Sequence, residues 1–340
     1  MFLTVSGRYA RQTLFPGIGE EGQKKLGNST VVIIGCGALG TTVATVLVRA
    51  GVGRIRIIDR DFIEDHNLQR QILFDENDIK NQLPKAIAAQ RHLQKVNSTV
   101  EIEGLVADVN HTNIEKLVQG ASLVLDGLDN LETRFLINDV SLKQKIPWIY
   151  GSAISSYGMS MNIIPGQTAC LRCLYPKIPG PGKLLTCDTA GIINTIPFII
   201  GSFQATEALK LLVGKKEANS ELIFIDAWER TFESYKINPV PNCPACSGKY
   251  EFLEGNFSSK TTLLCGQNAV QLINPGTEKV SFGELKERLK KVGEVSGNEF
   301  MLRFAVDSHE MVIFSDGRAI IKNTTDETQA RALYAKYIGR

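Results

Sequence analysis

The chain has 340 residues, 43% hydrophobic and 22% charged, with 38 Lys+Arg against 36 Asp+Glu and a formal net charge of +2. At about 150 residues per domain the prior is roughly two globular domains, and the balance excludes both disorder and the strongly basic surface of a bulk nucleic-acid binder. The opening MFLTVSGRYAR holds only a short apolar run, Phe2 to Val5, too short for a secretory core segment, so a cytoplasmic protein is expected.

From Val31 to Trp148, β-branched runs alternate with helical periodicity. Strands are predicted over Val31–Ile34, Arg54–Ile58, Val100–Leu105, Leu123–Asp126 and Pro147–Ile149, and helices over Gly40–Ala50, Pro84–Val96, Asn113–Gln119 and Leu131–Gln144. That alternation predicts a parallel sheet with helices on both faces. After Gly151 the pattern changes to an antiparallel hairpin over Ser152–Ile164, a buried helix over Asn194–Leu212, and strands over Glu221–Ala227 and Glu233–Ile237. Ile146–Leu171 and Thr189–Thr206 carry no charge, but Pro, Gly and polar residues interrupt both, so they read as core elements and not as membrane spans. The first domain is thus expected over residues 1–248.

The composition turns to Gly, Ser, Asn and Lys after Cys246, which predicts a linker over residues 249–262. Residues 263–340 read as a small α+β module. It has a helix over Ser281–Lys291, strands over Phe300–Val306, Met311–Ser315 and Arg318–Lys322, a hairpin turn at Ser315-Asp316-Gly317, and a last helix over Asp326–Tyr337.

Gly35-Cys36-Gly37-Ala38-Leu39-Gly40 follows the first strand and opens a helix, so Gly35, Gly37 and Gly40 let backbone amides approach a phosphate at the helix N-terminus. Asp59 ends the next strand, 19 residues past Gly40, where a carboxylate accepts hydrogen bonds from a ribose. The combination predicts a Rossmann-like, doubly wound, mostly parallel sheet with an antiparallel extension, binding an adenine nucleotide. Asp61, Asn67, Arg70 and Lys85 follow, with Asn67 and Arg70 on one face if helical. Two cations and an amide near a nucleotide suit charge developing on a phosphate; read singly, each is a solvated surface group. Asp129, in Asp126-Gly127-Leu128-Asp129-Asn130 at a strand end, is either a magnesium ligand or the cap of the helix starting near Leu131. Asp126 is expected to be tied into the strand end.

Seven cysteines without a secretory signal point to metal binding or reactivity. Cys170-Leu171-Arg172-Cys173 and Cys243-Pro244-Ala245-Cys246 form two C-x-x-C pairs, 70 residues apart, that predict a closed tetrahedral, structural zinc site. The alternatives are four buried free thiols or a redox pair. Cys187 follows the Pro/Gly/Lys-rich stretch Pro176–Lys183 and precedes a helix, where a thiol becomes a nucleophile; the alternative is an inert buried side chain. Cys36 reads as a small packing residue and Cys265 has no discernible partner. His66, His92, His111 and His309 lie on separate elements and are given no catalytic role.

Over roughly Arg8–Cys246 the chain resembles the ThiF/MoeB/HesA family of adenylyltransferases, bacterial relatives of the ubiquitin-activating enzymes. The resemblance rests on Arg8-Tyr9-Ala10-Arg11-Gln12, the glycine loop, Asp59-Arg60-Asp61, Asn67-Leu68-Gln69-Arg70-Gln71, Pro84-Lys85, Asp126–Asn130, both C-x-x-C pairs and Thr186-Cys187-Asp188-Thr189-Ala190-Gly191. It implies that the C-terminal glycine carboxylate of a ubiquitin-like sulfur carrier ending in Gly-Gly attacks the α-phosphate of ATP, and that the acyl group then passes to sulfur, with a sulfur donor protein as a possible further partner. It further implies Asp59 on the ribose, Asn67, Arg70 and Lys85 on the phosphates, and magnesium on Asp129. Arg11 would reach into the partner's site across a homodimer, and Cys187 would be a thiol able to link to the carrier. Ala38 and Leu83 stand where the family commonly has Gly and Gln, and no rhodanese domain follows. Likeness at Leu14–Gly19 and Asp126–Asn130 favours the thiamin pathway; the molybdopterin pathway is the alternative. From other classes, an NAD-dependent oxidoreductase would rest on the glycine loop and Asp59 alone, and a zinc-stapled binding module would bind ATP without turnover.

Overall fold

Val31–Ile34 is apolar at every position because the strand it builds is covered on both faces, and all four residues are buried. The structure, a computed structural model, describes residues 7–180, 185–215, 219–257, 260–264, 268–273, 280–297, 301–315 and 317–339. Two short helices, α1 (Ala10–Thr13) and α2 (Gly19–Gly27), lead into β1 (Thr30–Ile34), α3 (Ala38–Ala50) and β2 (Arg54–Asp59). There follow α4 (Glu76–Lys80), α5 (Lys85–Val96), β3 (Glu101–Val106), α6 (Ile114–Leu117), β4 (Leu123–Asp126), α7 (Leu131–Gln144) and β5 (Trp148–Ile154). Strands β3-β2-β1-β4-β5 lie side by side and parallel, in a register that pairs Ile33 with Ile57 on one side and with Leu125 on the other.

β5 pairs parallel to β4 through Trp148 and Ile149 and antiparallel to β6 (Tyr157–Ile163) along its whole length. The predicted strand at Pro147–Ile149 and the first arm of the predicted hairpin are therefore one strand, which turns at Ser155. After α8 (Leu171–Leu174), α9 (Cys187–Ala190) and α10 (Thr195–Val213), strands β7 (Leu222–Asp226) and β8 (Thr231–Tyr235) complete an eight-stranded sheet. α10 is the one helix among the described residues long and apolar enough to cross a membrane. Here it packs on α3, α2, β5 and β6. Its buried Gln204 donates to the carbonyls of Asp126 (2.9 Å) and Ile149 (3.3 Å), a polar anchor inside the core.

Residues 249–257 are not an open linker. Phe252 is buried and stacks between Phe135 and Phe257, ring centroids 4.8 Å from each. The N–H groups of Phe252 and Leu253 donate to Asp139 Oδ2 at 2.8 and 3.3 Å. Three aromatic residues, Tyr250, Phe252 and Phe257, in a polar stretch were the signal for this packing. From Lys260 the chain builds a second, antiparallel sheet of six strands: β9 (Lys260–Leu264), β10 (Ala269–Ile273), β11 (Glu294–Gly297), β12 (Met301–Val306), β13 (His309–Phe314) and β14 (Ala319–Lys322). Helices α11 (Phe282–Leu289) and α12 (Glu327–Ile338) cover it around Phe304, Met311, Ile313 and Tyr334. Strands β9, β10 and β11 were not expected, and β9 begins inside the predicted linker. Cys265, Asp316 and the N-terminal run Phe2–Val5 lie outside the described residues, as does part of the Pro176–Lys183 stretch.

Asp139, on α7, makes a testable contribution to stability. Burial lifts its carboxyl to about 6, against the pull of the two N–H donors. The folded state then holds this proton more tightly than the unfolded chain, so stability is lost as pH rises from about 4 to about 6. Asp139→Asn keeps the acceptor and removes the charge. Urea unfolding is expected to show a gain of about 1–2 kcal/mol at pH 7.5 and almost none at pH 4; an equal shift at both values would contradict the buried-charge account.

Candidate active site

Leaving β1 the chain goes to β2 on one side, and it later returns to β4 on the other, so the order of strands reverses between β1 and β4. Ligands of open α/β sheets bind outside the carboxyl ends at such a point. A cavity of about 680 Å³ lies there, lined by the glycine loop, the end of β2 and the turn after β4, a size that suits a small-molecule site.

Backbone contacts shape its floor. Gly35 has a φ of +94°, and a Cβ there would lie 2.6 Å from the carbonyl carbon and oxygen of Gly127. A Cβ on Gly40 would lie 2.0 Å from the Gly35 carbonyl oxygen. The loop after β1 is therefore pressed between α3 and the turn after β4, with no room for a side chain at Gly35 or Gly40. Gly37 caps α3 without offering a side-chain acceptor, which leaves first-turn N–H groups for an anion in the cavity.

Asp59 is fixed at the end of β2: Cys36 N–H donates to its Oδ2 at 2.6 Å and Asp61 N–H to its Oδ1 at 2.7 Å. Each carboxylate oxygen has a second lone pair for a ligand hydroxyl. Burial raises the Asp59 carboxyl, opposed by the Lys85 ammonium. Lys85, at the start of α5, is itself buried, with Nζ 3.4 Å from Asp61 Oδ2. Burial disfavours its charge, but Asp59, Asp61 and Asp129 outweigh that and hold the ammonium above its ordinary range. A lysine kept charged out of bulk water is a strong partner for a phosphate. Asn67 is buried and accepts from Glu64 N–H at 3.0 Å, closing the turn that presents Arg70, whose Nη1 donates to the His66 carbonyl at 2.7 Å.

After β4 the structure separates two neighbouring candidates for one role. The cap of α7 is Asn130, whose Oδ1 accepts from Thr133 N–H at 2.9 Å. Asp129 is thereby excluded as the cap and stands exposed at the cavity wall. Asp126 is buried and held by Arg134 Nε at 2.9 Å and by the N–H groups of Leu128 (2.8 Å) and Gly151 (3.2 Å). Arg134 also donates to the carbonyls of Leu128 and Gly151, which fixes the whole turn. The sequence reading missed Arg134: eight residues from Asp126, across a turn into a helix, it matches no spacing rule. It missed Gly127 too, whose contact with Gly35 is made between distant segments.

Cys187 also lines the cavity, as the first residue of the one-turn helix α9, its Sγ 3.5 Å from the Ala153 carbonyl. Arg11 lies elsewhere, exposed on α1 and absent from the cavity wall. His66 and His309, given no role from sequence, do line it.

The four C-x-x-C sulfurs meet beside the core packed around α7, with separations of 3.8 Å (Cys170–Cys173), 3.6 Å (Cys170–Cys243), 3.7 Å (Cys173–Cys246) and 3.4 Å (Cys246–Cys170). Tetrahedral zinc with sulfur ligands at about 2.3 Å requires sulfurs about 3.8 Å apart, so this donor set fits. Burial and the neighbouring sulfurs push Cys170 well up, and burial leads in pushing Cys246 up to about 12. Cys173 goes down despite burial because Val240 and Cys170 backbone groups bond to its sulfur. A second cluster, Asp75, Asp78 and His92, is a helix cap: Asp75 and Asp78 bond reciprocally at the start of α4, and His92 pairs with Asp78 at 2.8 Å.

Comparison with known proteins places this arrangement. A profile described as the ThiF family matches residues 9–245. The sulfur carrier protein ThiS adenylyltransferase of Bacillus subtilis (strain 168) is 43% identical over 98% of this chain and 100% of its own length. The sulfur carrier protein adenylyltransferase of Thermus thermophilus is 37% identical over 70% of this chain and 90% of its own. Among solved structures, E. coli MccB superposes with a TM-score of 0.63 at 25% identity, covering 71% of this chain and 72% of that one.

Proposed function

This chain belongs to the ThiF family, and from that premise we propose that it adenylylates the C-terminal glycine of a ubiquitin-like sulfur carrier with ATP, for sulfur transfer in thiamin thiazole synthesis. The observation that carries the reading is its likeness to the Bacillus subtilis ThiS adenylyltransferase along the whole of both chains, C-terminal module included. The molybdopterin carrier is the alternative substrate. An NAD-dependent oxidoreductase would leave Arg70, Lys85 and Asp129 without a purpose.

The reaction follows from the groups in the cavity. A carrier carboxylate oxygen forms a bond to the α-phosphorus as the bond from that phosphorus to the bridging oxygen breaks, and pyrophosphate leaves with the electron pair. Asp59 orients the ribose, and the α3 amides hold the phosphates. Arg70 and Lys85 stabilise the charge that builds on the phosphoryl oxygens, which a fixed cation does without reorganising. Magnesium, when bound, neutralises phosphate charge, and Asp129 is the residue to hold it. The acyl group then passes to sulfur, with Cys187 as the thiol at hand: the carbon–sulfur bond forms as the carbon–oxygen bond to the phosphate breaks, AMP leaves with the electron pair, and the thiol gives up its proton. We read Cys170, Cys173, Cys243 and Cys246 as zinc ligands, residues 1–257 as the adenylation unit, the chain from Lys260 onward as a C-terminal module packed on it, and the working form as a cytoplasmic homodimer in which Arg11 reaches the partner's site.

ATP–pyrophosphate exchange, run with each candidate carrier ending in Gly-Gly and with none, is the test. Exchange with the thiamin carrier alone is expected. Exchange with only the molybdopterin carrier would reassign the pathway, and exchange with neither would overturn the proposal.

A further inference from the structure

Sequence periodicity gives the C-terminal module no chemistry, yet the structure folds it onto the reaction cavity. Helices α11 and α12 both rest on α9, which carries Cys187. The cavity wall includes His309 from the start of β13 and Thr328, Ala332, Ala335 and Lys336 from α12. Those four positions form one stripe along the helix and are all half-buried. The opposite side of α12, with Ala330, Tyr334, Tyr337 and Ile338, fills the module's own core. One face of α12 holds the module together, and the other is given to the cavity.

The cavity changes character along its walls. Near the glycine loop stand Asp59, Arg70, Lys85 and Asp129, which suit a polyphosphate. Near α9 the β5–β6 turn is tied to the segment after α9 by Ser155 N–H on the Gly191 carbonyl and Ile193 N–H on the Ser155 carbonyl, both 2.9 Å. Leu185, Ile192, Ile154 and Leu333 add apolar surface to that part, beside the polar Asp307, Asp326 and Lys336 of the C-terminal module. Resting on the adenylylation proposed above, the reacting carboxylate has to reach the α-phosphate inside this same cavity, and the chain behind it has to leave through the part the nucleotide does not fill. Ala332 and Ala335 project only a methyl group there, so an extended backbone can lie close against the helix.

We infer that α12 and the start of β13 form the wall that receives the extended C-terminal peptide of the carrier, so that the C-terminal module selects the carrier while the glycine-loop end selects the nucleotide.

The test uses the full-length protein, the carrier that supports exchange, and a fluorescent ATP analogue. Ala335→Trp narrows the path; Ala332→Leu is a smaller change on the same face, should the indole disturb α12. In variants that keep the wild-type melting temperature, the KM for carrier is expected to rise about tenfold, with the Kd of the ATP analogue held within about twofold. An unchanged carrier KM in a folded variant, or a matching loss of nucleotide affinity, would overturn the inference. Failure of the wild-type protein to exchange with any carrier ending in Gly-Gly would instead remove the proposed function, and this inference with it.

Discussion

Asp129→Ala is expected to lower carrier-dependent ATP–pyrophosphate exchange by at least about 10³-fold, roughly 4 kcal/mol of lost transition-state stabilisation, while the melting temperature stays at the wild-type value. The side chain is exposed, and the helix beside it is capped by Asn130, so the fold does not need it. Asp126→Ala, three residues away, is expected to fail in the opposite manner. It strands the buried Arg134 guanidinium, whose charge burial disfavours and the Asp126 carboxylate sustains, and loss of one partner of a buried pair costs about 3–5 kcal/mol of stability. Exchange assays and thermal melts on the two variants separate the roles. Retained exchange in folded Asp129→Ala protein would remove the metal role; an Asp126→Ala protein as stable as wild type would mean that the pair does not hold the turn.

The second large effect is expected at the cysteines. Wild-type protein should release about one zinc per chain on denaturation, and Cys173→Ser should release almost none and melt about 10 °C or more lower, since structural zinc binding is itself folding free energy. The four sulfurs join the segment after β6 to the segment after β8, across the 69 residues between Cys173 and Cys243. Without a cation, four thiols whose charged forms mostly repel one another are left packed at this junction. Treating wild-type protein with a chelator should reproduce the loss, and zinc should restore it. A zinc-free preparation with an undiminished melting temperature would show the cluster to be ordinary packing.

Particular elements show how far local chemistry reaches. Strand β4 and helix α7 are found with the bounds their residues predict, Leu123–Asp126 and Leu131–Gln144. An uninterrupted apolar run and a three-to-four periodicity each report on a few neighbouring residues, and the same residues build the element. The glycine loop and the C-x-x-C pairs are legible for a related reason: each is a residue type at a fixed spacing, and the structure presses the loop against the turn after β4 and brings the four sulfurs together. The choice of cap before α7 was not legible. Asp129 and Asn130 are adjacent and both make good caps; the selection accompanies the anchoring of the turn by Arg134, a contact that exists only once β4, β5 and α7 are assembled. Residues 249–257 looked like a linker by composition, and Phe252 became core only because Phe135 and Asp139 of α7 came to meet it.

The sequence by itself determined the doubly wound sheet, the tight glycine loop with Asp59 beside it, and the four-cysteine cluster, because each depends on periodicity or on residues at set intervals. Tertiary structure alone decided that Asn130 and not Asp129 caps α7, that Arg134 is the partner holding Asp126, and that α12 packs against α9, the helix that carries Cys187, from more than a hundred residues away. Those contacts depend on how finished surfaces pack, and no local pattern along the chain encodes which surfaces will meet.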